Sequence, residues 1–560
     1  MDDFFQPGPQ LGNQYESDNL LRSFLQRTLP DDLMHEVEPR LRRMGARAVG
    51  DLLELGNAAE ERPPRLIQYD PWGRRVDRIE ISPAWRALHA VAAEEGLVAT
   101  GYERHYGPYS RLVQFALLYL FHPSTAVATC PLAMTDGAAR VLELCGDEAL
   151  QNRALPHLLS RDPRTFWTSG QWMTERAGGS DVSSTHTAAS VAGAGYRLSG
   201  SKWFSSATTS EMALTLARIE GAPTGSRGLS LFYLETHNGN GELNGIRILR
   251  LKDKLGTRAL PTAELELVGA AARRIGAPGD GVRTIASMLN ITRLYNACCA
   301  AASMRRGVAL ARDFALRREA FGRPLSTHAL HRSTLAGLEV EARAALLLVL
   351  RAAELLGRDE CGAASAEERA VLRLLTPLAK LFTGKQAVAC ASETLECFGG
   401  AGYIEDTGLP RLLRDAQVLP IWEGTTNVLA LDVLRVLRQD EESWGALLAD
   451  VARLLPSGLL PHQLARSHQS LERAVAGLRT YRQQCLDEGE ETLHAAAREF
   501  AFGVGRVYAG ALLLNQAAWE LGEQDLAPTA AAADQWCARL AAPSTLPNLA
   551  AERLLALFPG

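Results

Sequence analysis

Ala263-Glu264-Leu265-Glu266-Leu267 alternates apolar and acidic residues without a break, and Gly228-Leu-Ser-Leu-Phe-Tyr-Leu234 lies shortly before it. Period-two alternation marks a strand with one buried face, because successive side chains point to opposite sides of a sheet. Short runs of this kind, bounded by Gly, Asn and Pro, recur between about residues 166 and 275 and predict a mainly antiparallel β domain. In both directions from it the period changes. Leu20-Leu21-x-x-Phe24-Leu25-x-x-x-Leu29 opens a region of helical spacing that runs from Asp18 to about residue 161. Helical periodicity returns after Gly281, through 285–321, 335–356 and 371–398, with Gly322-Arg-Pro324 and Gly399-Gly400 marking ends. A last Ala/Leu-rich segment is again helical, with Pro456 and Pro461 as its linker and the pair Glu441-Glu442 in that linker. The expected fold class is therefore α+β, mostly α. It comprises a helical N-terminal domain (1–165), a barrel-like central antiparallel β domain (166–280), a C-terminal helical bundle (281–438) and an extra C-terminal helical domain (439–560).

At 560 residues the chain exceeds what one hydrophobic core supports, and its 47% hydrophobic content suits a well-buried protein. Lys and Arg number 59 against 64 Asp and Glu, so a formal charge of -5 gives no global attraction for nucleic acid or anionic lipid. The nine cysteines contain no Cys-x-x-Cys pair and read as free thiols of a reducing compartment. Met1-Asp-Asp-Phe-Phe5 lacks the basic start of a secretory signal, and apolar stretches such as 344–350 are too short to span a bilayer. A cytoplasmic protein without a membrane segment is expected. No Gly-x-Gly-x-x-Gly or Gly-x4-Gly-Lys-[Ser/Thr] loop occurs, which argues against a nicotinamide Rossmann enzyme or a P-loop ATPase. His328-x-x-His331 has one-turn spacing but no evident third ligand, so no metal site is expected.

Three separated segments carry candidate chemistry. In Gln171-Trp-Met-Thr-Glu-Arg-Ala-Gly-Gly-Ser-Asp181, Gly178 and Gly179 permit close backbone approach to a ligand while Thr174 and Ser180 offer hydroxyls. Lys202-Trp-Phe-Ser205 follows with an aromatic pair. By itself this is equally an ordinary loop and strand. The second segment pairs Arg318-Glu-Ala-Phe-Gly322 with Phe398-Gly-Gly-Ala-Gly-Tyr403, where guanidinium and exposed N–H groups suit a phosphate. The plain alternative is a helix C-cap beside a solvated Arg. The third is Leu419-Pro-Ile-Trp-Glu-Gly-Thr-Thr-Asn-Val428, in which burial among Ile421, Trp422 and Gly424 would desolvate Glu423. A lone Glu before Gly is otherwise a helix-start residue.

Together and in this order, these segments resemble the acyl-CoA dehydrogenase family: a Thr-Glu-x-x-x-Gly-Ser-Asp loop at 174–181, Trp203, Arg-x-x-Phe-Gly at 318–322, Gly-Gly-x-Gly-Tyr at 399–403 and Glu-Gly-Thr at 423–425. The motifs span about residues 166–435. The resemblance implies FAD as cofactor, an acyl-CoA thioester as substrate, an electron-transfer flavoprotein or oxygen as acceptor, and a homotetramer. It implies that Thr174 bonds the flavin ring, that Trp203 packs on it, and that Ser180 and Ser205 contact the cofactor. Met173, Gly179, Phe204, Trp422, Thr425 and Asn427 would line the same site. Arg318, Phe321, Gly399 and Gly400 would reach the FAD of a neighbouring subunit. Glu423 matches the catalytic base and Arg293 a substrate-positioning residue. A base carried on an earlier helix in one branch would fall at Thr292, which cannot serve. Glu396 stands where many members have Gln, and Asn290 where many have Asp. The length after Glu-Gly-Thr, with Pro83-Ala-Trp85 and Lys252-Asp-Lys-Leu-Gly256, resembles the AidB-type adaptive-response branch, whose members bind DNA and turn over weakly. Residues 441–560 hold nine Arg and no Lys against fourteen Asp and Glu, so charge does not support DNA as a partner.

Overall fold

The computed structural model describes residues 6–439, 441–455, 462–523, 528–540 and 546. The chain divides into two compact units, one of residues 12–15 and 37–295, the other of residues 1–11, 16–36 and 296–560.

In the first of these, short helices precede a seven-stranded sheet. Strands Met212–Ile219, Ala188–Ala192, Gly195–Ser206, Thr262–Ile275 and Leu229–Glu235 pair in that order, and Leu229–Glu235 pairs back onto Met212–Ile219 to close a ring. Ser169–Gln171 adds to Met212–Ile219 and Ile246–Leu251 to Thr262–Ile275. Pairing is antiparallel except where Met212–Ile219 meets Ser169–Gln171 and Ala188–Ala192. The alternation at 263–267 does what its period dictates. Leu265 and Leu267 join Leu198, Ala213 and Phe232 in the buried core, while Glu264, on the opposite face, takes Lys252 Nζ at 2.5 Å. Helical periodicity hid one element in the N-terminal region. Arg65–Tyr69 and Arg75–Glu80 form an antiparallel hairpin. Its turn is Asp70-Pro-Trp-Gly73, with Gly73 at φ 82° and the Asp70 carboxylate accepting from the N–H groups of Trp72 and Arg74.

The other unit is helical. Ala329–Glu360 and Ala366–Cys397 are its long central helices, the second opened by a capping box between Ser365 and Glu368. The periodic stretch 285–321 was expected to stay helical to its end, yet the helix Gly281–Arg317 stops four residues earlier. Phe321 and Gly322, at φ 51° and 79°, turn the chain into a small hairpin of Glu319–Ala320 with Arg323–Pro324. The acidic pair expected in a linker instead opens the helix Glu441–Leu454, where Glu441 pairs with Arg482 at 2.5 Å. Pro456 and Pro461 lie outside the described residues. Of the later helices, Glu490–Glu523 packs on both central helices and Pro528–Ala538 on the first of them, while His462–Asp487 packs on those two. Asp450, nearly fully buried, accepts from Arg351 at 3.0 Å and from the Tyr508 hydroxyl at 2.5 Å, so its charge is fully compensated. All nine cysteines are free, and no described helix is long and apolar enough to cross a membrane.

Candidate functional site

The first group of site residues sits on one side of the β ring. Trp172 is buried, and the Trp203 N–H donates to the Thr174 carbonyl at 2.8 Å, which ties the 171–181 loop to the strand Gly195–Ser206. Glu175 strengthens this tie. Its carboxylate accepts from Lys202 Nζ at 2.8 Å, from the N–H groups of His186 and Thr187 at 2.7 and 3.2 Å, and from the Thr187 hydroxyl at 2.5 Å. Burial works against its ionisation, but Lys202 and these hydrogen bonds prevail and hold the carboxyl below the ordinary glutamate range. Lys202, fully buried, also donates to the Leu216 carbonyl at 3.0 Å.

Beside the pair the strand bulges, the register shifting between Lys202 and Ser205. Phe204 takes φ 55° there and stands 59% exposed, with half-buried Trp203 next to it. Lys252 Nζ lies 3.4 Å from the Trp203 ring centroid. Two buried polar atoms at this place, Ser205 Oγ and Gln171 Oε1, have no hydrogen-bond partner among the described residues. Met173 is buried, Thr174 half-buried, and Gly179 and Ser180 exposed. A Cβ at Gly179 would come within 2.5 Å of Thr174 Oγ1, so glycine is required for the loop to close over that hydroxyl.

The second group belongs to the helical unit. Phe314, near the end of Gly281–Arg317, and Phe398, capping Ala366–Cys397, pack together with ring centroids 4.6 Å apart and planes tilted by 34°. That contact brings the Arg318 hairpin beside the glycine turn. Phe321 and Tyr403 are 96% and 87% exposed, and Gly399 and Gly400 are open to solvent.

The third group is built on the turn before the helix Thr426–Gln439. The N–H groups of Ile421 and Trp422 both donate to the Val418 carbonyl. Glu423 then adopts φ 56° and Gly424 φ 100°. A left-handed glutamate is strained by about 1–2 kcal/mol, and such strain concentrates at functional positions. The turn is held from below by Lys380, which is 1% exposed and donates from Nζ to the Gly424 carbonyl at 2.5 Å. Glu423 itself is half-buried, less desolvated than its apolar neighbours suggested. Trp422 Nε1 is buried without a partner among the described residues. Thr425 is half-buried, and exposed Asn427 accepts from Arg498 at 3.2 Å. Between Lys380 and Phe398 the helix rises roughly 27 Å at 1.5 Å per residue, so the second and third groups sit far apart along it. Arg293 is half-buried on Gly281–Arg317, and the hydroxyl of its neighbour Thr292 bonds the Leu289 carbonyl at 3.1 Å.

Sequence reasoning gave no role to the Glu175–Lys202 pair, to Lys380 or to Arg498. Lys380 did leave a signal, a single cation inside the apolar run Leu374-Leu-Thr-Pro-Leu-Ala-Lys-Leu-Phe382.

Residues 279–437 match the family described as acyl-CoA dehydrogenase, C-terminal domain, and residues 170–269 match its middle domain. Acyl-CoA dehydrogenase family member 11 of Caenorhabditis elegans is 47% identical over 528 residues, 92% of this chain and 86% of that protein. The chain belongs to the acyl-CoA dehydrogenase family. Residues 7–163 match the adaptive response protein AidB N-terminal domain, and residues 444–546 the acyl-CoA dehydrogenase 11 C-terminal domain-like family. The AidB protein of Escherichia coli is 35% identical over 396 residues, covering 69% of this chain and 71% of that one. Among solved structures of acyl-CoA dehydrogenases, C. elegans ACDH-11 in complex with C11-CoA matches with a TM-score of 0.94 at 44% identity, over 99% of this chain and 96% of that one. A Bacillus anthracis acyl-CoA dehydrogenase complexed with FAD, at 18% identity, shares the fold with a TM-score of 0.71 over 94% of this chain and 90% of that one.

Proposed function

We propose that the protein is an FAD-dependent acyl-CoA dehydrogenase that removes the α proton of an acyl-CoA thioester with Glu423 as base. The observation that carries this is the turn itself: a glutamate held in a left-handed conformation inside Glu-Gly-Thr and anchored through the next carbonyl by a buried lysine.

The residues present fit a flavin. At the β-ring bulge an exposed aromatic surface, two glycines and two unpartnered buried oxygens, Ser205 Oγ and Gln171 Oε1, lie together. A planar heterocycle needs this combination of apolar contact and hydrogen bonds at its edge. Thr174, Ser180, Trp203 and Ser205 would hold it, with Met173, Gly179, Phe204, Trp422, Thr425 and Asn427 lining its site. Bound there, FAD would supply the acceptor for the hydride that leaves the substrate's β carbon. Glu423 takes the α proton, and a positioned base contributes about 10²–10⁴ in rate. Arg293 positions the substrate. Arg318, Phe321, Gly399 and Gly400 serve the FAD of a neighbouring subunit, a reading supported by their distance along the helix from Glu423 and by the exposure of Phe321. The assembly is then a homo-oligomer, a tetramer by family likeness. It works in the cytoplasm in fatty-acid metabolism and hands electrons to an electron-transfer flavoprotein or to oxygen. The four sequence-expected domains, with boundaries near 165, 280 and 438, are the working division of the chain.

The C11-CoA of the worm relative makes an eleven-carbon acyl-CoA the first substrate to try. Added anaerobically, it should bleach the flavin absorbance, and Glu423→Gln should keep FAD while slowing bleaching at least a hundredfold. Unchanged bleaching by that variant would remove Glu423 from the role. The AidB match favours one second reading, a DNA-associated stress-response flavoprotein with weak turnover.

A further inference from the structure

The helical unit contains a cavity of about 740 Å³, whose lining includes Leu316 and Ser326 on either side of the Arg318 hairpin. It is walled by one face each of Gly281–Arg317, Ala329–Glu360 and Pro528–Ala538, with Ser17 and Asn19 at its edge. Four of its lining residues are Arg305, Arg312, Arg332 and Arg343, and among the described lining residues the only acid is Glu339. Glu339 is already engaged, bonded by Arg305 at 2.8 Å and Arg343 at 2.7 Å. Burial opposes its ionisation, but the two guanidinium groups prevail and keep it below the usual carboxylate range.

Arg343 is the informative residue. It is buried, with 7% exposure, and fixed by Glu339, by the Thr529 hydroxyl at 3.1 Å and by the Asn19 side-chain oxygen at 2.8 Å. Those bonds use its Nε–H and one N–H of each terminal nitrogen, leaving one N–H on each without a partner among the described residues, although water reaches little of the group. Arg312 and Arg332 line the same space, exposed and bonded to no acceptor among the described residues. Guanidinium groups held in place before binding and left with spare donors select oxyanions, phosphate above all. The remaining wall is largely aliphatic, including Val308, Leu316, Leu335 and Val340, and among the described residues no aromatic ring lines it. A nucleobase would find nothing to stack on there, whereas an alkyl chain would be covered.

We propose that this cavity binds an amphiphilic oxyanion, an aliphatic chain ending in a phosphate or carboxylate group, through residues that none of the three groups contains. The test is calorimetric titration of the FAD-loaded protein with decyl phosphate and decanoate, with AMP and inorganic phosphate as controls. At least one of the two chain-bearing probes should bind once per chain, tenfold or more tighter than both controls, and decyl phosphate against decanoate identifies the head group. The double variant Arg312→Ala/Arg332→Ala, and separately Leu335→Trp, which fills the cavity, should each weaken binding at least tenfold. Both should leave bleaching by acyl-CoA unchanged. The proposal is overturned if neither chain-bearing probe binds, if AMP binds as tightly, or if binding survives both the charge removal and the filled cavity. Should one variant fail to fold, the other decides.

Discussion

Glu423 and Gly424 show how a single turn can be made into a site. The backbone at Glu423 opposes its own conformation by about 1–2 kcal/mol, so some other contact must hold it there. The Lys380–Gly424 hydrogen bond is one such contact. A buried ammonium is retained only where acceptors repay its desolvation, and in exchange it fixes the carbonyl next to the base. Lys380→Met should therefore loosen the turn without touching cofactor or substrate. Leaving the Gly424 carbonyl unsatisfied costs about 1–3 kcal/mol, and misplacement of the base should lower the rate of flavin reduction by ten- to a hundredfold. KM for acyl-CoA and FAD content should stay near the parent's. Rapid-mixing absorbance with FAD quantitation checks this, and an unaltered reduction rate would show that the turn holds itself.

Among the elements, the β ring shows which features the sequence made legible. Strict alternation at 263–267 and the apolar run at 228–234 were enough for the sheet, because period two has one structural meaning. The five motifs identified the family because each needs particular residue types. The hairpin Arg65–Tyr69 with Arg75–Glu80 was missed because two short alternations lie inside a long helical region, although Asp-Pro-Trp-Gly marked the turn. The helix end at Arg317 was misplaced because apolar spacing continues to Phe321 while positive φ at 321 and 322 overrides it. Long-range pairs were invisible for a simpler reason: Glu175 and Lys202 are distant in sequence, and nothing local announces that one neutralises the other. That pair yields a prediction. Removing one partner of a buried ion pair costs about 3–5 kcal/mol, so Glu175→Gln should weaken FAD binding by loosening the Thr174 loop from Trp203. Acid should do the same. Because the folded carboxyl lies below the ordinary value near 4.5, its contribution is complete above that pH and is lost as pH falls through the lower folded value. FAD release, followed by fluorescence down a pH series, should occur at higher pH in Glu175→Gln than in the parent. Identical release curves would show that the pair does not govern the cofactor loop.

For the whole molecule, charge and assembly matter more than any one contact. A formal charge of -5 overall, with nine Arg against fourteen acids after residue 440, opposes a DNA-binding surface. Local clustering does not reverse this. Arg466, Arg473 and Arg479 are exposed on His462–Asp487, but the fourth arginine of that helix, Arg482, is taken up by Glu441. A retardation assay at moderate salt should therefore show no shift of duplex DNA, and a salt-sensitive shift would favour the second reading. Assembly gives the opposite kind of expectation. The Arg318 hairpin and the Gly399 turn present two largely exposed aromatic rings beside a guanidinium and two exposed glycines. Solvent is a poor partner for such a surface, and a neighbouring subunit's cofactor is a good one. If that is its use, FAD retention and association are linked by mass action, since a ligand that binds only the assembled form stabilises it. Dilution should then release FAD and lower the mass measured by light scattering together, over the same concentration range. Arg318→Ala should move both transitions to higher protein concentration without altering the far-UV spectrum. Full FAD retention in a monomeric fraction would assign the hairpin and the glycine turn to some other task.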